Sequence, residues 1–368
     1  GNEYFISNDD QIKILNTLYP DFQESHYDDP LPHTSIDFVE TNNEPNYKVG
    51  IEGIRYQNNW DDQYVKKTLS GLEKKYKPST FVIGGSTAFG AGVGNDSTLS
   101  AHLNRFDKNY IYLNLGTSAY DSIREVNRLI YMLKKGYRPK NVIFIDGLND
   151  ISNFGRSPYN IHDTPNMWGF FNRKPSDVQI VSGYFQERNS FLAYLKALPV
   201  MHFFRYKQFH EKDLSEVYER HGGDFVEPNL LLKLREYYLH WPSIRINWKE
   251  NLSKDIIDHY KQSIQFTESL GHGFGFSVYF VYQPIGLLDK NNPFIKPSFT
   301  NSNLYQIYEY VDSNIKSAIS NGNLGMRDCS RAFANKTSNH LWVDATHYSP
   351  KGNLFLAKCI LNEMGREN

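Results

Sequence analysis

The sequence of 368 residues lacks the features that mark several large classes of protein. It has no excess of either charge, because 40 Lys and Arg residues nearly balance 41 Asp and Glu residues. The net charge therefore creates no overall electrostatic field that would favour nucleic acid or an anionic membrane as a partner. No apolar run reaches the roughly 18 residues of a membrane-spanning helix. The GxGxxG and GxxxxGK[ST] signatures are also missing, so we expect no dinucleotide or P-loop cofactor.

Cysteine is scarce, with only Cys329 and Cys359 in the chain. They form no CxxC pair, so neither a zinc cluster nor a disulfide framework is predicted. Their low number favours two separate buried thiols, with a single disulfide as the alternative. The first residues lack the charged and apolar regions of a signal peptide. Because the sequence begins with Gly1 rather than Met, it leaves room for an upstream signal or membrane anchor, and we expect an extracytoplasmic location.

Hydrophobic segments of two different periodicities alternate over most of the chain. Four short apolar runs are predicted to be buried parallel strands, at 80–84, 110–115, 141–145 and 277–282. Apolar residues at helical spacing lie at about 63–76, 123–133, 254–270, 303–319 and 350–364. A further helix is predicted to begin near Ser97, and Ser122 with Glu125 is predicted to cap the helix at 123–133. The alternation predicts an α/β fold with a doubly wound, mainly parallel sheet flanked by helices.

The domain organisation follows from where this alternation fails. Residues 1–60 are rich in Pro, Asp and Asn, and are predicted to form an N-terminal extension with a short helix at 11–18 and a strand or hairpin at 48–56. Residues 61–365 form the predicted main domain. The alternation is lost over 151–251, which we interpret as a helical, cap-like insertion.

The first candidate functional motif is GGSTAFG at residues 84–90, directly after a predicted strand. Ligands of an open parallel sheet bind beyond the carboxyl ends of its strands, so Ser86 is placed where chemistry is usually done. A glycine-rich turn or a phosphate-binding loop is the alternative interpretation. The GxSxG motif of an α/β-hydrolase elbow does not occur at Ser86.

The second motif, DATH at residues 344–347, precedes the last predicted helix. A serine hydroxyl needs a base to take its proton, and the base needs a partner that fixes its tautomer. His347 and Asp344 could fill these roles, or could be a surface histidine beside a capping carboxylate. Gly116 and Asn149 follow the second and third predicted strands, where a backbone N–H and an amide could stabilise an oxyanion; local turns are the alternative.

Taken together, the ordered set Ser86, Gly116, Asn149 and His347 resembles the four blocks of the SGNH/GDSL hydrolases, whose last block is Asp-x-x-His. The resemblance spans about 79–364 without the insertion, and implies a three-layer, flavodoxin-like fold. It implies Ser86 as nucleophile, His347 as base and then acid, and Asp344 as its partner. The oxyanion hole would comprise the N–H groups of Ser86 and Gly116 and the side-chain amide of Asn149. One departure is Gly85, where the GDS signature has Asp.

The resemblance implies a serine esterase that hydrolyses acyl esters without cofactor or metal. The 26 Tyr and 24 Phe residues, which could stack on sugar rings, favour an O-acetyl ester of a carbohydrate or polysaccharide as substrate. So does the resemblance of the GGST block to bacterial members associated with polysaccharides. Two alternatives remain: an O-acetyltransferase with the same triad, and a catalytically silent carbohydrate-binding or scaffold protein. The His210-Glu211 pair is no zinc-protease motif, because Leu214 stands where its second His would be.

Overall fold

A computed structural model of the protein describes residues 7–18, 47–70, 77–156, 248–334, 336 and 340–366. The chain divides into one unit of Gly1–Gly155 with Leu252–Asn368 and a second unit of Arg156–Asn251. Most of the predicted insertion at 151–251, including His210, lies outside the described residues. The insertion and the division into an extension and a main domain therefore stay predictions.

Strands and helices alternate along the described chain. The strands are β1 (Ser79–Gly84), β2 (Ile111–Asn114), β3 (Asn141–Asp146), β4 (Ser277–Tyr282) and β5 (Arg327–Asp328). The helices are α1 (Asn8–Leu18), α2 (Asp62–Ser70), α3 (Ser86–Phe89), α4 (Leu99–Phe106), α5 (Ser122–Lys134), α6 (Leu148–Arg156), α7 (Trp248–Phe274), α8 (Asn303–Ser320) and α9 (Pro350–Glu363). No helix in the described part of the chain has the length and apolar character needed to cross a membrane.

The five strands form one sheet in the order β2-β1-β3-β4-β5, and every pair of neighbours is parallel. β1 and β3 are buried along their whole length, as expected for central strands covered by helices on the faces of the sheet. At the centre, Phe144 of β3 lies opposite Phe280 of β4 and their rings stack at 4.5 Å. The predicted α/β fold with a parallel sheet is confirmed.

The chain around Gly50 forms the predicted hairpin in a short form. Val49 and Arg55 pair in an antiparallel bridge across the 3-10 turn Ile51–Gly53, and the Tyr56 N–H donates to the Lys48 carbonyl. Glu52 and Gly53 at the turn have φ angles of 53° and 64°, as tight hairpin turns require at their two central residues. Arg55 also bridges Asn114 at the end of β2, so this segment lies against the sheet.

Helix starts were predicted with mixed success. Ser349 caps α9 as predicted, since its hydroxyl accepts a hydrogen bond from the Gly352 N–H. The predicted capping box at α5 is wrong, because the N-cap is Asp121, whose carboxylate accepts from the Arg124 N–H. Ser122 instead donates from its N–H and its hydroxyl to Asp150. The helix expected near Ser97 begins at 99, after a separate 3-10 turn.

The two cysteines form a disulfide, Cys329–Cys359, so the interpretation as separate thiols is wrong. Cys329 directly follows β5, and its N–H donates to the Tyr282 carbonyl of β4. Cys359 lies on α9. The bond therefore joins the last helix to the edge of the sheet, a proximity that depends on how α9 packs and that the spacing of the cysteines does not reveal.

Candidate active site

The order of the strands fixes where a site can form. β2 lies on one side of β1 and β3 on the other, so the connections leaving β1 and β3 diverge and open a crevice at the carboxyl ends of these two strands. The segment after β1 carries Gly85 and Ser86, and the segment after β3 carries Gly147 and Asn149. Both motifs therefore reach the same crevice.

Ser86 is the first residue of α3, a helix of only four residues. The chain turns sharply on both sides of it, with Gly85 as N-cap and Gly90 in a left-handed conformation at φ 87° as C-cap. Glycine adopts that conformation without the steric cost of a side chain. Ser86 itself is 8% exposed, so its hydroxyl lies in a shielded position on a tightly folded turn.

The structure brings Ser86, His347 and Asp344 into one chain of hydrogen bonds. His347 Nε2 lies 2.8 Å from Ser86 Oγ, and His347 Nδ1 lies 2.5 Å from Asp344 Oδ2. The two contacts use opposite nitrogens of the ring, so the carboxylate holds the tautomer in which Nε2 can accept the serine proton. These are the distances of a nucleophile, a base and its orienting group.

The segment of His347 is folded around the Asp344 carboxylate. Asp344 Oδ1 accepts from the backbone N–H groups of Thr346 and His347, each at 2.6 Å. From the other side, the Asn292 amide lies 3.2 Å from the carbonyl oxygens of Asp344 and Ala345 and donates to them. One carboxylate oxygen therefore shapes the turn while the other holds the imidazole, which explains the spacing of three residues in the DATH motif.

The charges of this pair are mutually stabilising. Burial raises the pKa of Asp344, but the His347 charge and the hydrogen bonds to the carboxylate outweigh it and hold the pKa at about 2. Burial likewise lowers the pKa of His347, whereas the charge and hydrogen bond of Asp344 raise it, with a net rise above the ordinary 6.5. Asp344 is therefore ionised at neutral pH, and it favours the imidazolium that forms when His347 takes a proton.

Asn149 lies directly beside Gly85. Its amide nitrogen donates to the Tyr120 carbonyl at 2.7 Å, which leaves its second N–H for another acceptor. A Cβ on Gly85 would lie 2.1 Å from this nitrogen, far inside van der Waals contact. The absence of a side chain at position 85 is therefore what allows the Asn149 amide to reach the residue before Ser86.

Gly116 does not present a free N–H. Its backbone N–H donates to the Asn114 side-chain oxygen at 3.0 Å. A Cβ on Gly116 would meet the Phe89 backbone nitrogen at 2.2 Å, so this glycine allows the chain after β2 to pass close to α3. Three residues further on, Ala119 has a φ of 57°, which is uncommon outside glycine and is concentrated at functional sites. No sequence motif marks Ala119.

A group of buried carboxyls behind the site was also missed. Asp150 follows Asn149, is 1% exposed, and accepts from the N–H and hydroxyl of Ser122. Burial and the charge of Asp121 raise the pKa of Asp150 to about 6, against the lowering effect of the Ser122 bonds. Burial, and after it the charges of neighbouring carboxyls, raise the pKa values of Glu125 and Asp146 well above the usual range. No group of His, Cys, Asp and Glu residues in the described chain could hold a metal ion.

Comparisons with known proteins complete the description of the site. No model of a known family matches the chain, and no curated protein matches it. A solved lipolytic protein of the G-D-S-L family from Veillonella parvula DSM 2008 is 9% identical with a TM-score of 0.41, over 78% of this chain and 98% of that one. An acetylxylan esterase from Geobacillus stearothermophilus is 13% identical with a TM-score of 0.36, over 80% and 97%. The solved structures to which the chain is similar thus include members of the group that its motifs resemble.

Proposed function

We propose that the chain is a serine esterase in which Ser86 is the nucleophile, His347 the general base and acid, and Asp344 its orienting partner. The observation that carries the proposal is the continuous contact from Ser86 Oγ through both ring nitrogens of His347 to Asp344, at 2.8 and 2.5 Å. A buried serine beside an unrelated histidine would not need the second contact. Nucleophilic catalysis by serine needs both.

The reaction has two steps. The Ser86 oxygen attacks the acyl carbonyl while His347 Nε2 takes the serine proton; the ester C–O bond then breaks and His347 gives that proton to the leaving alcohol. In the second step water attacks the acyl-serine, again giving its proton to His347. The bond to Ser86 breaks, the proton returns to the serine oxygen, and the acid leaves. Asp344 remains ionised throughout, in keeping with its pKa of about 2.

The negative oxygen formed in both steps needs hydrogen-bond donors. The Ser86 N–H lies in the first turn of α3, where backbone N–H groups have no partner within the helix, and the Asn149 amide has a second N–H to give. Because the Gly116 N–H already donates to Asn114, we propose Ala119 in its place. Its left-handed backbone supports this choice, since strain of this kind persists where function requires it.

For the substrate we propose an O-acetyl ester on a carbohydrate or polysaccharide. The supporting features are the abundance of Tyr and Phe, whose faces stack on sugar rings, and the GGST block. We further propose an extracytoplasmic location, supported by the disulfide, because such bonds persist mainly in oxidising compartments.

The test is acetate release from an acetylated xylooligosaccharide and from p-nitrophenyl acetate by purified protein. We expect turnover that Ser86→Ala abolishes, with an unchanged circular dichroism spectrum. Ser100→Ala is the matched control, because Ser100 is buried in α4 and its hydroxyl has no partner in the described structure. Near wild-type turnover by Ser86→Ala would refute the assignment, and transfer of acetyl to a sugar acceptor without free acetate would refute hydrolysis.

A further inference from the structure

The buried side-chain amide of Gln283 hydrogen-bonds to the residue that follows Ser86 and to the residue that follows His347. Gln283 directly follows β4 and is 2% exposed. Its side-chain oxygen accepts from the Thr87 hydroxyl at 2.7 Å and from the Tyr348 hydroxyl at 3.0 Å. Thr87 is the residue after Ser86, and Tyr348 is the residue after His347. One oxygen atom therefore links the neighbours of the nucleophile and of its base.

The link is anchored in the central part of the sheet. The Gln283 N–H donates to the Asp146 carbonyl at 3.0 Å and continues the pairing of β4 with β3. The Tyr348 hydroxyl has one proton, which it shares between the Gln283 side-chain oxygen and the Pro284 carbonyl, the closer acceptor at 2.6 Å. Both acceptors hold Tyr348 against the same segment. Gln283 is thus fixed to the end of the buried central strand β3, and the two proposed catalytic segments bind to its side-chain oxygen separately.

Burying these polar groups costs free energy unless they are paired, and apolar side chains of similar size would fill the same volume. Simple packing therefore does not explain three polar side chains that meet here. The separation of His347 Nε2 and Ser86 Oγ depends on the relative position of α3 and the segment before α9, which lie far apart in sequence. A shared acceptor behind them fixes that relative position.

We propose that Gln283 is a positioning residue that holds the Ser86 and His347 segments in register for proton transfer. The inference rests on the proposed function, because the register matters for catalysis only if Ser86 is the nucleophile. Misplacement of reacting groups by about 1 Å can lower a rate about 100-fold. Loss of the shared acceptor should therefore lower kcat and leave KM nearly unchanged, since Gln283 is only 2% exposed.

The experiment compares Gln283→Met, which keeps the volume but removes the acceptor, with Gln283→Glu, which keeps it. We expect Gln283→Met to lower kcat for p-nitrophenyl acetate by about 10-fold to 100-fold, with KM within about threefold. Gln283→Glu should restore much of the rate and move the acid limb of the pH profile to higher pH, because a nearby negative charge raises the pKa of a histidine. If Gln283 only filled volume, Gln283→Met would keep the wild-type kcat and Gln283→Glu would have no loss to restore.

Two variants that each remove a single hydroxyl group test the same role if Gln283→Met fails to fold. Thr87→Val and Tyr348→Phe each remove one arm of the link, and their effects on kcat should not add, because both act through the same acceptor. Tyr282→Phe is the control, since this buried hydroxyl one residue before Gln283 donates to Asp312 instead, and kcat should not change.

Labelling with a serine-directed phosphonate separates the two proposals. A wild-type protein that resists the reagent and releases no acetate would overturn the proposed function and the role of Gln283 with it. Two outcomes would overturn the role of Gln283 alone, provided that the wild-type protein is labelled and turns over substrate. One is a folded Gln283→Met variant with the kcat of the wild type. The other is fully additive effects of Thr87→Val and Tyr348→Phe on kcat.

Discussion

Replacing Gly85 by alanine should damage catalysis much more than folding. The backbone at Gly85 has φ −75° and ψ −158°, an extended conformation that alanine adopts without strain. The new Cβ would lie 2.1 Å from the Asn149 amide nitrogen and 3.1 Å from the Tyr120 carbonyl oxygen. Since ordinary van der Waals contact begins at 3.4 Å, the amide must retreat by more than 1 Å. It is the end of a flexible side chain, so it can move while the backbone stays.

The size of the effect follows from what Asn149 would lose. Its 2.7 Å hydrogen bond to Tyr120 is worth about 1 kcal/mol to stability, so the free energy of unfolding should fall by only about 1–2 kcal/mol. Removal of one oxyanion donor costs about 100-fold to 1,000-fold in kcat. We therefore expect Gly85→Ala to lower kcat by at least about 100-fold in a protein that remains folded.

The assay is steady-state hydrolysis of p-nitrophenyl acetate together with urea unfolding. Gly94→Ala is the matched control, because Gly94 has φ −65° and a Cβ there meets nothing within 4 Å; its kcat should equal that of the wild type. Asn149→Ala should lose a similar factor, and the double variant Gly85→Ala/Asn149→Ala should lose little more, since both remove one donor. A kcat for Gly85→Ala within about threefold of wild type would refute Asn149 as an oxyanion donor.

Three further predictions concern strain, the disulfide and pH. Ala119→Gly should raise the free energy of unfolding by up to about 1 kcal/mol, because it relieves a left-handed conformation. The variant keeps the backbone N–H proposed to bind the oxyanion, so kcat should not change. A large loss of kcat would contradict the proposed role of that N–H. Replacing Cys329 and Cys359 by serine should lower the free energy of unfolding by about 3–4 kcal/mol for a 30-residue separation, and unchanged urea midpoints would contradict it. Because His347 must be neutral to accept a proton and its pKa is raised, kcat/KM should fall as pH drops, with a midpoint above 6.5 in the wild type and a lower one in Asp344→Asn.

The sheet could be predicted from the sequence because its strands are continuous apolar runs bounded by glycine or polar residues. The predicted strand at 277–282 has the same bounds as β4, and β1 and β3 differ from prediction by one residue at one end. β5 was missed, because Arg327–Asp328 is only two residues long and polar. Its place in the sheet is set by pairing with β4, which a local pattern does not record.

The candidate site was predictable where its residues sit in short local motifs, as with Asp344 and His347, which are three positions apart. Local patterns did not predict contacts between distant segments, and the contact of Ser86 with His347 was expected only from the resemblance. Gly116 matched a family block in sequence, yet its N–H is turned to Asn114. Gln283 belongs to no motif, and its role emerges only because the ends of β1, β4 and the segment before α9 meet at one point.

The most direct measurement of the central claim is phosphonate labelling followed by peptide mapping by mass spectrometry. With wild-type protein at pH 8, we predict one adduct per chain, on Ser86, formed at least about 1,000 times faster than with His347→Ala, because the hydroxyl reacts only when the imidazole takes its proton. Labelling at another residue, or a rate on Ser86 that is unaffected by His347→Ala, would contradict the account.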